Sequence, residues 1–215
     1  MSTPAIPALQ APDPAFAVPA DRARLERTAA ALTDRGMSAR IVGSGEEARA
    51  AVDQLIGDGD LVYDTSSRTL EDIGVAADIR AATRFRATRT HTETLDPATQ
   101  MDEFRRHVST MDVVVGSVHA VSEDGHVVVA SASGSQLAAY AFGASRVVWV
   151  VGAQKVVTDL DTAFARVERH SYPLEDARLR EAYGMPSLIG KQLVVSHEMT
   201  PGRITVLLVE DALGF

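Results

Sequence analysis

The run Met111-Asp112-Val113-Val114-Val115-Gly116 constrains this chain most, because three consecutive valines leave no polar face. β-Branched side chains at successive positions suit a strand covered on both sides, the situation of a parallel sheet between layers of helix. Such a strand needs neighbours, and residues 39–42, 60–64 and 146–151 read as short strands of the same kind. Helical segments lie between them. Leu25, Ala29 and Leu32 recur at helical spacing up to Gly36, a residue that readily takes the left-handed conformation past a helix end. Ser44 with Glu47 three residues on is the reciprocal capping pattern of a helix to about Ile56.

Further helices are expected over residues 70–82, from Asp96-Pro97 with proline at the first helical position, over 135–142 and over 160–168. Glu123-Asp124-Gly125 between apolar runs signals a hairpin, and residues 192–196 with 203–209 read as a second one. The fold class is therefore α/β, with a mixed, mostly parallel sheet flanked by helices.

A chain of 215 residues that is 46% hydrophobic can bury one sizeable core, so residues 20–215 are expected to form a single domain. Residues 1–19 hold Pro4, Pro7, Pro12, Pro14 and Pro19 among alanines and read as a flexible arm. A net charge of -8 argues against nucleic acid, whose binding needs clustered cations. The sequence has no cysteine, so disulfides and thiolate-held zinc or iron–sulfur centres are excluded from it, and no cofactor is expected. No apolar run reaches the roughly 18 to 20 residues of a spanning helix, and the first twenty residues do not read as a secretory signal, so a cytoplasmic location is expected.

Three stretches carry candidate chemistry. In Thr65-Ser66-Ser67-Arg68-Thr69 a strand ends in hydroxyl residues before a helix, where free amides and the Arg68 fork suit an anion; the plainer reading is helix capping. Ser131-Ala132-Ser133-Gly134-Ser135-Gln136 repeats the pattern, with Ser131, Gly134, Ser135 and Gln136 as the candidates. Glu123 lies at the hairpin turn, where a carboxylate of raised pKa serves as base or nucleophile; the plainer reading is a solvated turn. His119 and His126 flank that turn and His91 lies in a polar stretch. No histidine pair has zincin spacing, so no metal site is expected, and a hydrogen-bonding or acid–base role suits them better. Lys155 follows a buried strand, where α/β folds place ligands.

Several ordered blocks resemble the LUD family, the LutC/YkgG-like proteins associated with lactate oxidation: residues 115–120, 122–125, 131–136, 150–157 with Asp159-Leu160-Asp161, 173–178, 201–206 and 213–215. The resemblance spans roughly residues 25–215, so the single domain would be a LUD domain, and it adds Ser117 to the candidates. It implies a fold like that of ribose-5-phosphate isomerase, glucosamine-6-phosphate deaminase (NagB) and the CoA transferases, with ligand loops at strand ends. One CoA-transferase subgroup carries a nucleophilic glutamate in Ser-Glu-Asn-Gly, which Ser122-Glu123-Asp124-Gly125 approximates. The implied role is an accessory component in utilisation of lactate or a related organic acid. Its expected partners are a small anionic metabolite and an iron–sulfur oxidoreductase subunit, with a second copy of the chain a further candidate. The alternatives are a stand-alone isomerase- or CoA-transferase-like enzyme using Glu123, and a non-catalytic metabolite-binding module.

Overall fold

The computed structural model describes residues 9–96 and 98–215. Ten strands follow in chain order: β1 (Ser38–Val42), β2 (Leu61–Asp64), β3 (Arg86–Ala87), β4 (Met111–Gly116), β5 (Ala120–Ser122), β6 (Val127–Ser131), β7 (Ala144–Gly152), β8 (Val156–Val157), β9 (Lys191–Val195) and β10 (Ile204–Val209). The helices are α1 (Arg22–Asp34), α2 (Gly45–Leu55), α3 (Arg68–Asp72), α4 (Val75–Ala81), α5 (Thr88–Thr92), α6 (Met101–Ser109), α7 (Ser135–Ala138), α8 (Leu160–Arg166) and α9 (Tyr172–Tyr183). Six strands form a wholly parallel sheet in the order β1-β10-β7-β4-β2-β3, and β8-β5-β6-β9 form a second, mixed sheet.

The valine run takes one of the two central positions. Val113 and Val115 point into one apolar cluster and Val114 into another, so β4 is buried on both faces. Tyr140 and Trp149 meet edge to face in the second cluster, ring centroids 5.3 Å apart. A smaller cluster under the mixed sheet joins Ala120, Val128 and Val157 to Ala163 and Val167.

Local signals act where the sequence places them. Ser44 Oγ accepts from Glu47 N at 3.2 Å while Glu47 Oε2 accepts from Gly43 N at 2.9 Å, closing the start of α2. The Asp-Gly turn joins β5 and β6 as an antiparallel hairpin. The expected second hairpin does not form: β9 pairs with β6 in the mixed sheet, while β10 enters the parallel sheet between β1 and β7. A short loop between two apolar runs does not fix pairing when each finds a better-covered neighbour elsewhere.

The segment expected as one helix over 70–82 is two, α3 and α4, divided at Gly74 (φ +78°). Helix α6 starts only at Met101; Pro97 lies outside the described residues. Two π turns follow helices: Ala139–Gly143 ends the α7 segment close to its expected limit, whereas Val167–Ser171 joins α8 to α9 and carries helix well beyond the expected end at 168. Of the proline-rich first 19 residues, 1–8 lie outside the described residues. Pro14–Ala17 forms a 3-10 turn capped by Asp13, and Asp13 N donates to Arg169 O at 2.8 Å.

Gly125 (φ +89°) lies against α1, where an added Cβ would come within 2.8 Å of the Ala31 carbonyl. Gly125→Ala is expected to lower unfolding free energy by roughly 1–3 kcal/mol, through both the left-handed backbone and the clash. Denaturant unfolding checks this, and an unchanged midpoint would count against the contact.

Candidate functional site

Parallel strands all present their C-terminal ends on one side, so the segments that follow β2, β4, β7 and β10 converge there. They bound a cleft of about 400 Å³ whose other wall is the β6–α7 loop together with α9. The two hydroxyl-rich loops therefore face one cavity. Ser66, Ser67, Arg68, Thr69, Ser117, His119, Ser131, Ser135, Gln136 and Lys155 all line it. Gly134, left-handed at φ +86°, shapes the loop between lining residues Ser133 and Ser135 without lining the cleft itself.

The loops do not act as bare amide cradles. Ser131 Oγ accepts from Gly134 N at 2.9 Å and donates to Gln136 Oε1, and Ser133 Oγ accepts from Ser135 N. Ser67 Oγ caps α3 through Leu70 N, and α3 is only five residues long, so its dipole contributes little. Arg68 is half exposed at the rim and paired with Asp72 at 2.7 Å.

Cationic side chains supply the positive field instead. Arg89 lines the cleft from α5, donating from Nη1 to Asp64 O at 3.1 Å and from Nη2 to Ser66 Oγ at 2.9 Å. Each terminal nitrogen thus keeps a second N–H. Its Nε pairs with Glu93 at 2.7 Å. Arg178 approaches from α9, forked onto Glu175 by two 2.7 Å bonds. Lys155, 3% exposed, donates to Thr69 Oγ1 at 2.8 Å and Ser117 Oγ at 2.9 Å. Burial first, and Arg166 second, push its amine well below the usual lysine range.

His119 Nδ1 accepts from Ala130 N at 3.1 Å, which places the proton of the neutral ring on Nε2. Burial, then Lys155 and Arg166, pull its pKa from 6.5 down to about 3, so it is a neutral hydrogen-bond donor at physiological pH. Tyr140 OH meets Thr65 Oγ1 at 3.0 Å in the wall behind.

Glu123 is not part of this assembly. Its carboxylate is clamped by Arg24 Nε at 2.8 Å and Arg27 Nη2 at 3.0 Å, tying α1 to the hairpin, and it does not line the cleft. Burial raises its pKa, but the two guanidinium bonds outweigh that and leave it below the usual glutamate value. Glu123, expected as a base or nucleophile, stands in an ion-pair clamp apart from the cleft.

Sequence reasoning missed Arg89, Arg178 and Tyr140. Arg89 came from a stretch of no clear periodicity, although an arginine 25 residues after a strand end carries no local signal in any case. It also missed a group on the outer face of α5 and α6, where His91, Glu103 and His107 bring ligand atoms within 4.8 Å of one another. Glu103 and His107 are one helical turn apart, and these are the residues most able to hold a divalent metal among those described.

The molecule is thus an α/β protein with a cation- and hydroxyl-lined cleft at the C-terminal edge of its parallel sheet. The chain belongs to the LUD domain family, whose model matches residues 25–209. A DUF162 family protein from Deinococcus radiodurans shares the fold, at 17% identity and TM-score 0.55 over 89% of this chain and 99% of that one. Weaker likenesses are to ribose 5 phosphate isomerase A from Neisseria gonorrhoeae (12% identity, TM-score 0.33, 85% of this chain and 79% of that) and to eIF2B beta from Chaetomium thermophilum (14%, 0.37, 55% and 44%). None of the curated proteins compared with the chain matches it. No helix among the described residues is long and apolar enough to cross a membrane.

Two outcomes follow from the charges. The unfolded chain protonates His119 below pH 6.5 whereas the folded chain does so only near pH 3, so this group's share of stability is complete above 6.5 and is lost as pH falls through that window. His119→Gln is expected to flatten the acid side of a stability-against-pH curve; a curve superposable on the wild type would refute the neutral ring. Glu123→Gln is expected to cost about 1 kcal/mol or less, as partly exposed ion pairs do, and to leave ligand binding in the cleft unchanged. Calorimetric titration with the wild type as reference measures the second effect.

Proposed function

We propose that this LUD-domain chain is an accessory component in the utilisation of lactate or a related organic acid, and that its cleft holds a small organic anion. The observation that carries the reading is the convergence of Arg89, Arg178 and Lys155 with the hydroxyls of Ser66, Thr69 and Ser117 in one cleft, on a chain of net charge -8. A molecule so acidic gathers cations in a cavity against its own field, which favours an anionic ligand there. The free outer N–H groups of Arg89 match the two oxygens of a carboxylate, and the flanking hydroxyls match a 2-hydroxy or 2-oxo substituent.

The family association with lactate oxidation supports the same ligand class. Electron transfer would then belong to a partner bearing an iron–sulfur centre, since this sequence offers no thiolate to hold one, and the location would be cytoplasmic. With Glu123 clamped elsewhere, the cleft supports no transferase of the glutamyl-ester type.

Thermal unfolding in the presence of lactate, pyruvate and inorganic phosphate tests the reading, because a ligand of the native state raises Tm by mass action. Lactate or pyruvate is expected to raise it, and Arg89→Met to weaken that binding roughly tenfold or more. No shift with any 2-hydroxy or 2-oxo acid would overturn the proposal, and a shift with phosphate alone would redirect it to a phosphorylated ligand.

A further inference from the structure

Lys155 and Lys191 are the only lysines in the sequence, within a total of 21 lysine and arginine residues. Everywhere else the chain carries its positive charge on arginine, yet the most enclosed cation of the cleft is an amine. An arginine there would supply charge and donors in greater number; what it lacks is a nucleophilic lone pair.

The hydrogen bonds around Lys155 decide where that lone pair is. Ser117 Oγ donates its proton to Val150 O at 2.7 Å, and Thr69 Oγ1 donates to Leu213 O at 3.3 Å. Both hydroxyl protons are committed, so each oxygen can only accept from Lys155 Nζ. A neutral amine has two N–H groups, and these two acceptors take both. No carboxylate forms an ion pair with Nζ among the described residues, and the nearby charge of Asp72, which favours a third proton, is outweighed by burial and Arg166. The remaining valence of nitrogen, its lone pair, meets no donor and belongs to a side chain that lines the cleft.

We infer that Lys155 is a covalent site for a carbonyl compound, forming an imine with the carbonyl carbon of a 2-oxo acid held in the cleft. This rests on the reading of the cleft as an organic-anion site and goes beyond it by naming the oxidised member of the 2-hydroxy/2-oxo pair as a covalently held ligand. The lone pair of Nζ forms a bond to the carbonyl carbon, the carbonyl π pair moves to oxygen, and one amine proton passes to that oxygen to give the carbinolamine. The C–O bond then breaks, the second nitrogen-bound proton is lost, and one water leaves with the oxygen, so no oxidant or further reactant enters. Burial, and Arg166 after it, hold the amine's pKa well below the usual lysine range, which favours the unprotonated form that attack requires. His119 Nε2–H, on the same cleft wall, is a neutral donor for the departing oxygen.

Lys191 provides an internal control. It is exposed at the start of β9, its stem against Gly134, and does not line the cleft. The experiment is incubation of the whole chain with pyruvate and cyanoborohydride, which reduces an imine to a stable secondary amine, followed by peptide mass mapping. The expected result is one reduced adduct on the Lys155 peptide, saturating with pyruvate. Adduct on Lys191 or the terminal amine is expected to be slower and not to saturate.

Labelling confined to Lys191 and the terminal amine, while pyruvate still raises Tm, would overturn the imine and leave the anion-binding reading intact. Absence of both labelling and Tm shift would overturn both. Lys155→Arg, which keeps a cation and donors, is expected to abolish the saturable adduct. Should that variant not fold, protection of Lys155 in the wild type by lactate, which has no carbonyl to trap, gives the same answer; failure of lactate to protect counts against the site.

Discussion

The guanidinium of Arg166, completely inaccessible to solvent and without a carboxylate partner among the described residues, is the constraint on which the cleft depends. It donates from Nε to Gln154 O at 3.1 Å, from Nη1 to His119 O and to Ser171 Oγ, and from Nη2 to Phe16 O. These acceptors come from the segments after β4 and β7, from the π turn before α9, and from the turn that precedes α1. Burying an uncompensated cation is costly, and burial holds its pKa down to about 10. Carbonyl dipoles aimed at it offset the expense, so those carbonyls are held in place. The residues so positioned include His119 itself and the neighbour of Lys155, and the electrostatic character of the cleft descends from this knot.

A second consequence is that positive charge in the cleft is graded by depth. At the mouth, Arg68 is half exposed and screened by Asp72. Further in, Arg89 is tied to a backbone carbonyl and a serine, keeping its fork oriented. Deepest, burial and then Arg166 disfavour the proton on the amine of Lys155. An entering carboxylate therefore finds charged donors before it meets the nucleophile. Attraction and reaction are separated along one path, which a cluster of equivalent cations would not achieve.

Much of the architecture was legible from periodicity. The valine run, the Ser44/Glu47 cap, the Asp-Gly turn and Gly36 each act locally, and each has the role its chemistry suggested. The pairing of β9 was illegible because register depends on which faces are covered, and residues 191–195 alternate too weakly to show that. Pro173 occupies the first turn of α9, where a missing N–H costs little. In the site, hydroxyl loops announce themselves through composition. Arg89 and Arg178 do not, because an arginine looks the same in sequence whether it faces solvent or a cavity. Glu123 misled for the opposite reason: its four-residue context resembled a reactive one, while its partners Arg24 and Arg27 lie about 100 residues earlier.

The insertion of β10 between β1 and β7 carries a temporal implication. During synthesis, β1 and β7 both emerge before β10, the strand that joins them. Until then the facing edges of β1 and β7 are open, so a half-made chain displays two unsatisfied backbone edges at the heart of its future core. Completion of this layer consequently waits on β10.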